Sequence, residues 1–270
     1  MKTLKYLLLF FFPIFLYSQD LDFYKQFVQP QYDLAKNYGK GCLLKSKDRQ
    51  NFMEAKRFLK KLYIVHHPIS FYCGCRILYS KSQERLIPDP SCGYKKKSPS
   101  TEFMINWEHI MPAHRFGKDR ECWQSRVCTK EKNGKIKKFK GRNCCNEIDD
   151  CFNIMEGDVH NLVPTIYELN RDRKNYFFGE IPGEPREYGS CDFEVDHRRN
   201  IAEPRNSIRG DIARTYLYMS WFYGIPLNQE EKSFIQKWNK LDPPDEEEKK
   251  INRLKAQYQG NENPFISYYQ

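Results

Sequence analysis

The chain has 270 residues, a formal net charge of +10 and ten cysteines. Beyond residue 16 no stretch approaches twenty apolar residues, which excludes a multi-span membrane protein and leaves a soluble mature chain as the expectation. The even cysteine count argues for disulfides in an exported chain. Structural zinc is the weaker alternative, because Cys73-Gly74-Cys75 and Cys144-Cys145 lack the usual ligand spacing.

Lys2 and Lys5 precede the apolar run Tyr6 to Leu16, and Ser18-Gln19 follows it. That plan predicts a secretory signal over 1–18, with an uncleaved anchor as the alternative. Residues 19–50 form an N-terminal extension with no assigned structure. Residues 51–270 read as one domain, since no Gly/Ser-rich linker or repeat interrupts them. Asn51 to Val65 puts Phe52, Ala55, Phe58, Leu59 and Leu62 on one stripe, which predicts a helix ended by Pro68. Ile69 to Tyr79 reads as a strand or hairpin, and Thr101 to Ile110 as a strand with Phe103, Ile105 and Trp107 on one face. Cys122 to Cys151 reads as a long, basic, irregular loop. Phe152 to Val163 is then expected to be a second strand, Pro164 the first turn of a helix, and Thr165 to Asn175 its continuation. Ile208 to Tyr223 and Glu230 to Trp238 read as amphipathic helices. A last helix follows Asp242-Pro243-Pro244, with its acidic run at the N-terminus, where the helix dipole favours it.

The positive charge is concentrated. Arg85 to Arg142 holds 15 Lys or Arg against 6 Asp or Glu, which suits a polyanion such as nucleic acid. Lys95, Lys96 and Lys97 are expected to lie on its track. The candidate chemistry sits in two polar clusters, Asn106-Trp107-Glu108-His109 and Asp158-Val159-His160-Asn161, the latter leading to Asn170. An imidazole can take a proton from water near neutral pH. One carboxylate with one amide oxygen gives a hard cation few protein ligands and many open positions, as Mg²⁺ prefers. Glu108 and His109 would point to opposite faces of a regular strand, so one pocket can use both only where the strand ends, as Pro112 suggests. His160, just before Pro164, is read as a structural hydrogen-bonder. Arg171, Arg173, Arg209 and Arg214 are read as solvated or helix-pairing.

The segments Glu108-His109-Ile110-Met111-Pro112-Ala113, Gly141-Arg142-Asn143-Cys144, Met155-Glu156-Gly157-Asp158-Val159-His160-Asn161-Leu162, Asn170-Arg171-Asp172-Arg173 and Asn261-Glu262-Asn263-Pro264-Phe265 occur in order. Together they resemble the bacterial endonuclease I family, periplasmic or secreted nonspecific nucleases of the ββα-metal (His-Me finger) class. The resemblance implies an α+β single domain, disulfide-stapled, with a ββα-metal core. It further implies hydrolysis of DNA and RNA to 5′-phosphate products by a one-metal mechanism in a monomer with no stable membrane association. Glu108 and Asn170 match the metal ligands, with Mg²⁺ the expected cation and Mn²⁺ or Ca²⁺ the alternatives. His109 matches the general base, Glu156 the residue that orients it, and Arg142 an arginine set against the scissile phosphate. Ser125 to Lys140 is longer than usual in the family, which makes Arg126 the nearest alternative to Arg142. Two other readings remain open at this point: an exported nucleic-acid binder without catalysis, and a metal-independent ribonuclease using His109 and His160.

Overall fold

Asn51 turns its side-chain oxygen onto the backbone N–H groups of Met53 and Glu54, both at 3.1 Å, and so starts helix α1, Phe52–His66. The computed structural model that shows this describes residues 21–44, 51–183 and 185–270. The expected signal, 1–18, lies outside the described residues, as does part of the 19–50 extension. Within that extension Leu21, Tyr24, Phe27, Val28 and Leu34 are buried in the main core. Counting helices of seven residues or more, the chain continues with the hairpin β1 (Ile77–Ser80) and β2 (Arg85–Pro88), then β3 (Ile105–His109). The hairpin β4 (Cys128–Lys132) and β5 (Lys135–Phe139) leads into α2 (Arg142–Ile148) and α3 (Asp150–Glu156). Next come β6 (Leu162–Ile166) and α4 (Tyr167–Arg173). A three-stranded sheet of β7 (Phe177–Phe178), β8 (Phe193–Asp196) and β9 (Ile201–Pro204) precedes α5 (Arg209–Tyr223), α6 (Gln229–Leu241) and α7 (Glu246–Gln259). The fold is α+β, and no described helix is long and apolar enough to cross a membrane.

Three expectations from the sequence change. The stretch Cys122 to Cys151 is ordered as a short helix, a hairpin and α2. Residues expected in a strand from Phe152 fall instead in α3, because Asp149 caps that helix by accepting from the Phe152 N–H at 2.8 Å, and Phe152 and Met155 then share one face. Pro164 lies in β6 opposite Trp107, three residues before the helix begins. A proline is tolerated there because its carbonyl faces away from β3 and accepts from the Phe71 N–H at 2.8 Å, so the missing N–H would also have faced away. The strand, strand, helix order survives: β3 pairs antiparallel with β6 from Ile105–Ile166 to His109–Leu162, and α4 follows directly.

Helix α5 runs through the centre and is buried on every face rather than on one stripe, with twelve buried residues including Trp221, Tyr216 and Arg214. Arg214 is held by Glu248, Asp211 and the Asp242 carbonyl, so it pairs α5 with α7. Asp158, just before β6, ties that strand's start to this framework. Its Oδ2 accepts from Tyr218, Tyr223 and Gln259 at 2.7, 2.6 and 3.0 Å. All ten cysteines are paired, as Cys42–Cys151, Cys73–Cys191, Cys75–Cys92, Cys122–Cys145 and Cys128–Cys144, which removes the zinc alternative.

Candidate active site

Strand β3 and the second half of α4 frame a cleft of about 560 Å³ whose lining includes Glu108, His109, Arg142, Asn170 and Arg173. The strand stops where expected. Asn161 clamps the turn after it, donating to the Met111 carbonyl at 2.9 Å while its side-chain oxygen accepts from the Met111 N–H at 2.7 Å. Glu108 and His109 are the last two rungs of the ladder, opposite Val163 and Leu162, and both line the cleft.

His109 is buried, with its ring 5.0 Å from that of Phe52 and 6.3 Å from that of Phe116. Its Nε2 lies 2.8 Å from the backbone carbonyl of Glu156. A carbonyl only accepts, so Nε2 carries the proton and Nδ1 is the ring's acceptor. Burial, reinforced by the nearby charge of Arg142, pushes the imidazole down to about 3 and keeps it neutral near pH 7. Glu156 thus holds the histidine through its main chain, while its buried carboxylate pairs with the half-exposed Arg142. That contact holds the guanidinium at the cleft wall. Arg126, the alternative, is exposed and does not line the cleft.

The Asn170 amide nitrogen donates to the Trp107 carbonyl at 3.1 Å and to Asn106 Oδ1 at 3.2 Å. Tying down the nitrogen identifies the other atom as the oxygen and leaves it as an acceptor. Glu108 is buried; Tyr72 at 2.7 Å and Arg173 at 3.0 Å both donate to its Oε1, so Oε2 takes neither side-chain donor. Burial raises the Glu108 pKa, opposed by Arg173 and Tyr72. A carboxylate oxygen and an amide oxygen are the hard donors that Mg²⁺ takes, so the residues fit a lightly held cation. Among the described residues no group of three His, Cys, Asp or Glu side chains could hold a metal.

Arg173 corrects the sequence reading most sharply. It is neither solvated nor pairing helices. It is fully buried and donates to Glu108 Oε1, to the His109 carbonyl at 3.1 Å and to the Ile110 carbonyl at 2.8 Å, tying α4 to the end of β3. The signal for it was its i+3 spacing from Asn170, which puts both on one helix face. Tyr72, Phe52 and Lys56 were also missed. Phe52 and Lys56 reach the cleft because α1 starts against α3, where Gly157 is required: a Cβ there would lie 2.7 Å from the Asn51 carbonyl carbon. Arg173→Met is expected to cost about 3–5 kcal/mol of stability, because the Glu108 charge would stay buried without a cation. In urea unfolding the double variant with Glu108→Gln should lose less than Arg173→Met alone. An unchanged unfolding midpoint for Arg173→Met would contradict the pairing.

His160 does not reach the cleft. Its Nε2 is 2.8 Å from the Asn261 carbonyl and its ring packs on Tyr218, so it is structural and the two-histidine ribonuclease loses its second group. Within the basic stretch Lys97 is engaged by Glu187 at 2.6 Å, and Lys96 donates to the carbonyls of Pro99 and Thr101.

Residues 26–269 match the profile of the endonuclease I family. An extracellular deoxyribonuclease of Aeromonas hydrophila is 41% identical over 220 residues, which cover 80% of this chain and 88% of the relative. A periplasmic deoxyribonuclease of the same species is 39% identical, covering 83% and 88%. Endonuclease-1 of Buchnera aphidicola subsp. Acyrthosiphon pisum is 37% identical, covering 84% of each. With a ββα cleft that brings Glu108, His109 and Asn170 together and a match that spans almost all of the described residues, this chain belongs to the endonuclease I family.

Proposed function

We propose that the protein is an exported, divalent-metal-dependent endonuclease that hydrolyses DNA and RNA without strict sequence preference, leaving 5′-phosphates. The observation that carries this reading is the setting of His109: a buried imidazole whose Nε2–H is fixed on the Glu156 carbonyl, which leaves Nδ1 as the ring's acceptor. A phosphodiester is a poor electrophile because its negative charge repels a nucleophile. His109 would accept the proton of the attacking water at Nδ1. Arg142, held by Glu156, would stabilise the charge that builds on the phosphorus oxygens, an effect worth on the order of a hundredfold to a thousandfold in rate. Arg173 and Tyr72 would keep the Glu108 carboxylate in place, and Glu108 with Asn170 would hold the cation. When bound, Mg²⁺ would neutralise part of the phosphate charge and stabilise the leaving oxygen.

The cations Arg142 and Lys56 on the cleft lining suit a phosphate backbone, which supports action on both nucleic acids. The export reading rests on the disulfides and on relatives that are extracellular or periplasmic deoxyribonucleases. Loss of plasmid and RNA cutting in excess EDTA, restored by Mg²⁺, is the expected outcome of a digestion assay on the oxidised protein. Undiminished cutting in EDTA would overturn the metal assignment. Retained binding with no cutting under any metal would leave only an inactive nucleic-acid binder.

A further inference from the structure

The β4–β5 hairpin is not absorbed by the cleft chemistry. It turns through Asn133 and Gly134, both left-handed with φ of +53° and +69°, as a two-residue hairpin turn requires. Its register pairs Lys130 with Lys137 and Lys132 with Lys135 directly across the strands. Like charges in that position repel and weaken a two-stranded ribbon. All four lysines are exposed, and among the described residues none has an acidic partner; the hairpin's own Glu131 lies on the opposite face. A fold that tolerates this repulsion leaves four cations free for an outside anion.

The direction of that face follows from the pleat. Lys130 and Lys132 share the face of Cys128, because side chains alternate along a strand. Cys128 is bonded to Cys144 of α2, the helix whose first residue is Arg142 at the cleft wall. The second bridge into α2, Cys122–Cys145, and the Gly141 N–H on the Cys122 carbonyl at 2.9 Å fix the hairpin's root beside the same residue. Strands of this length reach about 17 Å from their root, which is about half a turn of duplex.

We propose that this lysine face is a rail for the phosphate backbone of a double-stranded nucleic acid whose scissile phosphate lies in the cleft; the proposal rests on the nuclease reading above. Lysines are point charges without the planar fork that reads bases, so the rail grips without selecting sequence. Single strands are held largely by stacking on aromatic rings, and this face offers only Phe139, at its root beneath Lys130. The structure therefore assigns the grip to this hairpin rather than to Lys95–Lys97, two of which are already engaged.

The test is fluorescence anisotropy of a labelled duplex with the full oxidised protein in EDTA, as a function of salt. The quadruple variant Lys130→Gln/Lys132→Gln/Lys135→Gln/Lys137→Gln is expected to bind at least about tenfold more weakly near physiological salt, with a log–log salt slope shallower by about 3. In plasmid digestion with Mg²⁺ the loss should fall on KM more than on kcat, since Arg142 and the cleft are untouched. Lys138→Gln, on the other face, should leave duplex affinity within about twofold; an equal loss per lysine there would reduce the rail to diffuse charge and overturn it. An unchanged affinity and slope in the quadruple variant would do the same, as would a loss seen only with phosphatidylglycerol vesicles or only with single strands. Because the readout is binding, a wild type that binds duplex but never cuts it would end the nuclease reading without touching this result.

Discussion

Full reduction of the five disulfides is expected to lower the melting temperature by at least about 20 °C and to abolish activity at 37 °C. Two bridges close very long loops, with sequence separations of 109 for Cys42–Cys151 and 118 for Cys73–Cys191. A native bridge typically contributes about 2–4 kcal/mol, and in a domain of this size each kcal/mol moves the midpoint by about 2–4 °C. The bridges are placed where the site depends on them. Cys42–Cys151 holds α3, whose last residue, Glu156, carries the His109 acceptor and the Arg142 partner. Cys122–Cys145 and Cys128–Cys144 fasten α2 behind Arg142, and Cys73–Cys191 fixes the turn beside Tyr72, which donates to Glu108. Reduction therefore loosens the supports of His109, Arg142 and Glu108 at once. Calorimetry with and without reductant, alongside thiol titration of the denatured protein, checks this. Ten free thiols in a fully active sample would show that the bridges do not form or do not matter.

The elements that position the site were legible in part, and the failures have physical reasons. Helix α1 was readable because Asn51 caps a clean apolar stripe, and β3 because Ile105 and Trp107 alternate before Pro112. The segment from Phe152 was misjudged because a short apolar run has no length to separate strand from helix, and the deciding cap, Asp149, lies just outside it. Asn133-Gly134 is a strong hairpin signal, yet the lysines around it lack the alternating apolar residues that usually accompany one. Candidate catalytic side chains were named from the family motifs, with Glu156 as the residue that orients His109. That Glu156 holds His109 through its main-chain carbonyl was not legible, because such a contact leaves no mark on residue identity. Arg173 was passed over because a charged residue is seldom fully buried, and only its three acceptors at the end of β3 explain the exception.

Replacement of His109 by alanine should remove nearly all turnover while leaving substrate and metal binding in place. General-base catalysis by a positioned side chain contributes about 10²–10⁴ in rate, and among the described cleft residues no second imidazole stands ready to replace it. Glu108→Ala should act differently, weakening cation affinity, because it deletes the charged member of the proposed ligand pair. The loss in His109→Ala is chemical rather than structural: the ring contributes packing against Phe52 and Phe116, but Glu156 stays paired with Arg142. The most direct test of the account is the single-turnover cleavage rate of a labelled duplex at saturating Mg²⁺, with duplex affinity measured in parallel. The account predicts a rate constant at least about 100-fold below wild type for His109→Ala at unchanged affinity. A near wild-type rate in that variant would contradict the assignment of His109 as the base.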